Sequence, residues 1–569
     1  MRALKLLILF SLALFHIIAV AKVSFEINGV NKNATENVLI FLKGLNEPDN
    51  LQHFSFIKQV KESTTEALVA LGYYNASIQI ETEQQSQLVK VTIIPGERTR
   101  ITKLDLKLTG EGVNDQAFQK LLTEFDVKEN AFLNHGKYES AKSSLLNLSR
   151  QRGYFDAKYE KSSVEVSAKT NSAIVYFWFN TGPRYQFGEL KFSAILPAEQ
   201  QVIALRKFKV GQPFEYQKLR KYNADLSKTG YFKNITIVPE IKNKQGLLIP
   251  LTVEATMRPE DSFNVGLGYS TDQEIRSKLR WNRPWVNDYG HSIEGNLIVS
   301  AEQQEINFTY KIPEIDAIYN YDTVQAGYKK LNQNDTDTQQ YLLGLNRNSL
   351  LQNQWQLTTF IKYDHEYGRQ GQQEYSKRSI IPGVTFSRSR QRGGMNPYWG
   401  DKKLVSIEFS NQWWLSDEDL IKVYGQYKLL RSINRTHEFF INTEFGAIYT
   451  QSIEDVPSSM RFFTGGDQTI RGYDYESIAP KDSDGYLVGG KYLIVGSLEY
   501  RYPIVENWKA ALFGDAGNAT DDLSADLLTS AGVGVVWASP VGPIRLYLAK
   551  PFDTEKNKIT LHIMIGPEL

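Results

Sequence analysis

The second half of the chain alternates apolar and polar residues from residue 262 to its end. In "KLVSIEFS" the side chains of Val405, Ile407 and Phe409 share one face, and Ser406 and Glu408 share the other. The segments "HEFFINTEFGAIY", "KYLIVGSLEYRYP" and "GPIRLYLAK" repeat this arrangement. An apolar and a charged side on every strand, sustained over such a length, is typical of a transmembrane β-barrel. A soluble β-sandwich also alternates, so the pattern alone leaves both architectures open.

The positions of the tryptophans favour the barrel. Eight of the nine lie after residue 262, many of them at predicted strand ends, where the interface of a bilayer favours this side chain. Turn signals between the alternating segments predict roughly 16 antiparallel strands. After residue 21 no stretch approaches the roughly 18 apolar residues of a transmembrane helix, so strands are the elements expected to cross the membrane.

The first half of the chain contains an internal repeat. A helical pattern ends at Gly72, at Gly153 and at Gly230, within "LVALGYYNASI", "LSRQRGYFDAKY" and "LSKTGYFKNITI". These glycines are 81 and 77 residues apart, which is too long for a solenoid repeat and suits an array of small domains. A glycine after a helix fits the left-handed position at the helix C-terminus. The pattern predicts three β-α-α-β-β modules.

The first residues have the pattern of a secretory signal peptide. Arg2 and Lys5 precede an apolar run over residues 6–21, which ends in the small-x-small sequence Ala19-Val20-Ala21. An uncleaved anchor helix is the alternative. The predicted domains are a signal peptide (1–21), three modules (22–98, 99–184 and 185–258) and a barrel (259–569).

Composition excludes several classes of function. The chain has 65 Lys and Arg against 64 Asp and Glu, so no net field attracts nucleic acid. It has no Cys, which excludes disulfides, thiolate metal sites and a cysteine nucleophile. The seven His have no metal-ligand spacing, and no Gly-x-Ser-x-Gly elbow is present. We therefore expect no catalytic, cofactor or metal site.

One segment breaks the alternation and identifies a family. "RFFTGGDQTIRGY" at 461–473, followed by "SLEYRYP" and "FGDAG", resembles the core of the BamA/TamA superfamily of outer-membrane assembly factors. Together with "RWNRPWVNDYGHSI" and the ending "LHIMIGPEL", the three modules are most similar to its TamA branch. The resemblance covers nearly the whole mature chain. It implies a multidomain protein with three periplasmic α+β POTRA modules before a roughly 16-stranded transmembrane antiparallel β-barrel, in the outer membrane of a Gram-negative bacterium.

The resemblance also implies a lock between a loop and the barrel lumen. In the family the Ile-Arg-Gly-Tyr segment tips a loop that folds into the barrel, where acidic residues hold its arginine. By motif, the lock consists of Arg471, Gly472, Tyr473, Glu499 and Asp515. A planar guanidinium that meets carboxylates suits such a site. The alternative is a salt bridge in the wall without functional consequence.

A second predicted site is the junction between the first and last barrel strands, "SFNVGLGYS" and "KITLHIMIG". Gly266 and Gly268 leave one face of the first strand without side chains, and Ile563 and Gly566 lie on the last strand. A weak junction of this kind exposes an edge that can pair with another strand. The alternative is that the glycines only permit barrel curvature.

The resemblance implies a function in assembly without covalent chemistry. Autotransporters and other unfolded β-barrel clients would pass laterally through the junction into the membrane lipid, and a TamB-like partner anchored in the inner membrane would bind the modules. A two-partner-secretion transporter and an envelope lipid-transport component are alternatives within related families. An outer-membrane lipase and a passive porin are alternatives of other classes. A porin needs neither the modules nor a loop that seals the lumen.

Overall fold

The computed structural model describes most of the chain. The described residues are 23–46, 48, 50–193, 198–270, 274–315, 318–394, 396–434, 436–540, 542–553 and 559–565. The predicted signal peptide and the predicted seam residue Gly566 lie outside them. No described helix is both long and apolar enough to span a bilayer.

Three three-stranded sheets, each with two helices, follow one another in the first half. The sheet orders are β1-β3-β2, β4-β6-β5 and β7-β9-β8, so each module has the predicted order of strand, two helices and two strands. The strands are β1 (Ser24–Asn28), β2 (Ser77–Glu83), β3 (Leu88–Ile94), β4 (Arg100–Thr109), β5 (Lys158–Ser167), β6 (Ser172–Asn180), β7 (Gln186–Phe192), β8 (Phe232–Pro239) and β9 (Leu248–Met257). The helices are α1 (Lys32–Leu42), α2 (Phe54–Ala70), α3 (Gln116–Thr123), α4 (His135–Arg152), α5 (Glu199–Ala204) and α6 (Tyr216–Lys228).

The second module shows why these segments fold in this way. Alternate residues of β6 are buried, and they pack against the face of α4 that carries Tyr138 and Leu145. The Asn134 side chain caps the start of α4 by accepting from the Lys137 amide. Gly153 ends the helix with φ +84°, the left-handed conformation that the sequence predicts.

An arginine at the end of the first and second modules binds the end of the module's long helix. Arg98 Nε donates to the Leu71 carbonyl at 2.6 Å, and Arg184 Nε donates to the Arg152 carbonyl at 3.1 Å. Both carbonyls belong to the residue before the predicted glycine, Gly72 or Gly153. The repeated turns "PGER" and "TGPR" thus satisfy a free carbonyl at each helix C-terminus.

The second half is a 16-stranded antiparallel sheet in sequential order. Its strands are β10 (Ser262–Ser270), β11 (Glu274–Arg283), β12 (Ser292–Val299), β13 (Gln303–Pro313), β14 (Tyr321–Gln333), β15 (Thr336–Leu350), β16 (Gln356–Gln370), β17 (Gln373–Arg392), β18 (Trp399–Ser410), β19 (Leu420–Ile433), β20 (His437–Thr450), β21 (Tyr492–Val505), β22 (Trp508–Thr520), β23 (Leu528–Ser539), β24 (Gly542–Pro551) and β25 (Thr560–Ile565). The predicted strand number is confirmed. The predicted first and last strands are β10 and β25.

The two faces of the sheet differ as the alternation predicts. On β21 the side chains of Val495, Glu499 and Arg501 are buried inside, whereas Ile494 and Leu498 are exposed outside. Exposed apolar side chains continue along the outward face of the other strands. A wall that is apolar outside and charged inside fits a lipid bilayer, and a soluble sandwich would bury its apolar face instead.

Candidate functional site

The loop between β20 and β21, residues 451–491, packs in the barrel lumen. Its apolar side chains Phe462, Ile470 and Tyr473 are buried in one cluster with wall residues such as Leu493 and Val495. A loop that buries apolar side chains against the inner wall occupies much of the lumen.

A second arginine in the loop shapes the loop itself. Arg461 donates to three loop carbonyls, those of Val456 at 2.8 Å, Val488 at 2.8 Å and Glu454 at 3.0 Å. The loop turns sharply at Gly465, Gly466 and Gly472, whose φ angles are +108°, +100° and +98°. Glycine adopts such angles without the strain that a side chain would introduce.

The structure brings Arg471 together with both predicted acids. Its Nε and Nη2 donate to the two oxygens of Asp515 at 2.8 and 2.7 Å, and its Nη1 donates to Glu499 at 2.6 Å. Nη2 also donates to Ser497, and the guanidinium carbon lies 3.5 Å from the centre of the Phe513 ring. Arg471, Glu499 and Asp515 are only 4%, 1% and 3% exposed. This is a buried, bidentate ion pair of the strongest kind.

Further charges extend the lock along the wall. Glu499 accepts from Arg501 Nε and from the Tyr547 hydroxyl, each at 2.6 Å. Arg501 in turn donates to Glu438 at 3.2 Å, and Lys509 binds the same carboxylate at 2.7 Å. Three carboxylates therefore meet three cations, so no charge in this network is buried without a counter-ion.

The other tip residues bind later strands of the wall. The Gly472 N–H donates to His562 Nε2 at 2.8 Å, and the Thr560 hydroxyl donates to the Gly472 carbonyl at 3.3 Å. The Tyr473 hydroxyl donates to the Thr529 carbonyl at 3.4 Å. A Cβ on Gly472 would lie 3.1 Å from the Pro551 ring, so the close approach to β24 also favours glycine there.

The rest of the loop is held on the opposite wall. Ser458 donates to Glu366 at 2.9 Å, and Gln370 donates to the Leu487 carbonyl at 2.6 Å. Polar cavities of about 530 and 480 Å³ remain between loop and wall, and Gly268 borders the second. Within the described ranges, no group of three or more His, Asp or Glu side chains is placed to hold a metal ion.

The second predicted site lies at the two ends of the sheet. The hydrogen-bonded order of the described strands runs from β10 to β25 without a register between these two, although their Cα atoms come within 8 Å. On β10, Val265 and Leu267 point outward and are 76% and 80% exposed, whereas Gly266 and Gly268 face the lumen side of the sheet. Ile563 lies on the outward face of β25. Gly266, Gly268 and Ile563 thus lie on the two end strands, whereas Glu499 and Asp515 of the lock lie on β21 and β22.

The sequence-based prediction of the lock missed Arg461 and His562. Arg461 stands in the quoted motif, but its targets are backbone carbonyls, which no residue pattern marks. The alternation of "TLHIMI" does place His562 on the lumen face with Thr560 and Met564. That face was the available signal for His562.

Comparisons with known proteins agree with this architecture. The sequence profile of the Omp85 superfamily domain matches residues 260–567, and that of POTRA domain TamA domain 1 matches residues 24–95. The chain is 22% identical over 512 residues to outer membrane protein assembly factor BamA of Nitratidesulfovibrio vulgaris, covering 85% of this chain and 64% of the relative. BamA of Neorickettsia risticii is 22% identical over 77% of this chain and 62% of its own length. The chain thus spans just under two thirds of these relatives.

A solved structure shows the same fold. BamA from Haemophilus ducreyi lacking POTRA domains 1–3 superposes with a TM-score of 0.68 at 15% identity, covering 82% of this chain and 99% of that one. The Omp85 profile matches more than half of the 569 residues. This chain therefore belongs to the Omp85 superfamily, as a barrel of the Gram-negative outer membrane with POTRA modules in the periplasm.

Proposed function

We propose that this protein is an outer-membrane assembly factor that inserts β-barrel clients, including autotransporters, by opening its wall between β10 and β25. The observation that carries the proposal is the edge of β10, which pairs only with β11 in the described ladders. An unpaired strand edge offers backbone donors and acceptors to an incoming strand. The relatives named as BamA assembly factors support this role. It requires no catalytic chemistry.

The glycines of β10 support a junction that opens at low cost. A Cβ on Gly266 or Gly268 would meet no atom closer than 4.0 Å, and neither residue has a positive φ. Neither crowding nor backbone conformation therefore requires glycine at these positions. Their effect is to remove cross-strand side-chain contacts, each of which contributes roughly 0.2–1 kcal/mol to a strand pair.

A covalent tether across the junction tests the proposal. The chain has no native Cys, so Ile563→Cys can be combined with Val265→Cys or Leu267→Cys, and the pair that oxidises faster is used. We expect oxidised protein in proteoliposomes to lose the ability to fold an unfolded barrel client into a protease-resistant form, and reduction to restore it.

The matched control is a tether that does not cross the junction. Leu546 and Ile563 are Cα partners in the ladder of β24 and β25, so Leu546→Cys with Ile563→Cys should leave client folding intact. Equal client folding by the oxidised junction variant and this control would refute lateral opening.

We also propose a TamB-like partner, anchored in the inner membrane, that binds the POTRA modules. The match of residues 24–95 to a TamA-type first POTRA domain supports this assignment. A photo-crosslinker at the exposed Ile40 or Phe54 of the first module should capture this partner from native membranes. Capture of soluble periplasmic proteins alone would contradict it.

A further inference from the structure

We propose that the loop tip holds the last barrel strand, and that His562 is the positioning residue through which the lock controls the seam. The inference rests on the proposed opening between β10 and β25 and adds a control element to it. Its basis is a pair of hydrogen bonds that join one residue of the tip to one strand of the junction.

Both backbone polar groups of Gly472 bind β25. The Gly472 N–H donates to His562 Nε2 at 2.8 Å, and its carbonyl accepts from the Thr560 hydroxyl at 3.3 Å. Thr560 and His562 are two residues apart, so both side chains point from β25 into the lumen. His562 is only 1% exposed. Loss of its acceptor would leave a buried N–H without a partner, which is more costly than the loss of an exposed hydrogen bond.

The preceding residue anchors the same tip to a different part of the wall. The Arg471 N–H and guanidinium both bind Asp515 of β22, and the guanidinium also binds Glu499 of β21. Adjacent residues of the tip therefore connect β21 and β22 with β25. The strands β23 and β24 lie between them in the sheet, so this connection runs through the lumen and bypasses the ladder.

Two hydrogen-bonded supports of β25 are described in the structure. On one side it pairs with β24 through six registered residues, from Ile544 with Ile565 to Ala549 with Thr560. From the lumen it binds Gly472. When Arg471 leaves its carboxylates, Gly472 moves with it, and β25 loses the second support. Release of the lock and loosening of the seam are thus one event.

Spin-label distances test this coupling in the absence of any client. One label at Ile563→Cys reports β25, and a reference label at Leu343→Cys lies on the outward face of β15, where residue 343 is exposed. In nanodiscs, His562→Leu should broaden the distribution of distances between the two labels. The displaced population should rise about tenfold, as expected when a buried donor loses its partner.

Two further variants separate loss of the bond from loss of the fold. His562→Gln places an amide oxygen close to the position of Nε2, so we expect it to keep the narrow distribution. Arg471→Ala removes side-chain hydrogen bonds to β21 and β22 but should broaden the same distribution, and its combination with His562→Leu should add little. If His562→Leu does not insert, Thr560→Val, which removes only the bond to the Gly472 carbonyl, is measured in the same way.

A label pair away from the seam is the control. Leu343→Cys with Leu498→Cys on β21 should keep its distribution in every variant. An unchanged distance between residues 343 and 563 in both His562→Leu and Arg471→Ala would overturn the proposal, and so would equal broadening in both label pairs. The outcome of this experiment does not depend on the tether experiment. The loop tip can hold β25 even in a protein whose clients do not pass through the seam.

Discussion

At the scale of single residues, two arginines in one loop have different tasks. Arg461 binds backbone carbonyls of the loop, and Arg471 binds carboxylates of the wall. A carbonyl needs a directional donor, whereas a buried carboxylate needs a counter-charge, so replacement of the two residues should have different consequences.

Arg471→Ala should loosen the loop. The change leaves Glu499 and Asp515 buried without their main counter-ion, and loss of one partner of a buried pair costs about 3–5 kcal/mol. We expect faster protease cleavage within residues 474–486 and a lower temperature for heat-induced unfolding in detergent. Arg471→Lys keeps the charge but loses the bidentate geometry, so it should lie between wild type and alanine. Wild-type cleavage rates in Arg471→Ala would show that the apolar cluster alone holds the loop.

The sequence allowed the acids of the lock to be predicted but not its link to β25. Glu499 and Asp515 follow from the motif, and the alternation of its strand also places Glu499 on the lumen face. His562 follows only as a residue that faces the lumen. Its partner depends on how deeply the loop enters the barrel, and that depth is set by contacts distant in sequence, such as Ser458 with Glu366.

At the scale of elements, the period of hydrophobicity was sufficient for the strands of the second half, whereas the choice of a barrel also needed the tryptophan positions and the resemblance. It predicted the first strand as residues 262–270, which are the bounds of β10. The helix-ending glycines were also predictable, since only this residue adopts positive φ without strain. The binding of Arg98 and Arg184 to helix C-termini could not be predicted. The turns "PGER" and "TGPR" show only that a similar sequence occurs twice, and not which group the arginine binds. The domain boundaries themselves remain predictions.

The second module should contain a local acid-sensitive site. Asp115 caps α3 through the Ala117 amide and binds Arg152 at 3.0 Å. Burial raises the pKa of the Asp115 carboxyl, but the hydrogen bond from Arg152 and the Ala117 amide outweigh it and hold the pKa below its ordinary value. The pair therefore stabilises the module above the unfolded pKa of about 3.9, and this stability is lost as pH falls through the folded pKa.

Hydrogen exchange of the intact protein can measure this effect. Corrected for intrinsic rates, exchange of the α3 and α4 amides should accelerate as pH falls below 3.9 in wild type. In Asp115→Asn the same amides should exchange faster already at neutral pH, because about 1–3 kcal/mol of stability against local opening is lost. Acidification should then change their exchange less than it does in wild type. Glu62→Gln is the control, because that carboxylate is exposed. The same acid response in Asp115→Asn and wild type would assign the sensitivity to another group.

At the scale of the whole molecule, the barrel is a wall around a packed loop and not an open channel. The loop contributes Val456, Met460 and Ile478 to the same buried cluster as the wall. We expect small, unsteady conductance from wild-type protein in planar bilayers. Replacement of residues 462–488 by a short Gly-Ser linker should produce a larger and steadier conductance, because the lumen would fill with water.

Shortening of the loop over residues 521–527, which are mostly exposed, is the matched control and should not change the current. A large, steady current from wild type would instead support a passive porin. An unchanged current after removal of residues 462–488 would show that other segments block the lumen.

The shared core of loop and wall has a consequence for the folding of the barrel. Ile470 and Tyr473 are buried against strands on several sides, so a completed wall would hinder their entry into the lumen. We therefore expect the loop to pack into the lumen before β25 completes the sheet and binds Gly472.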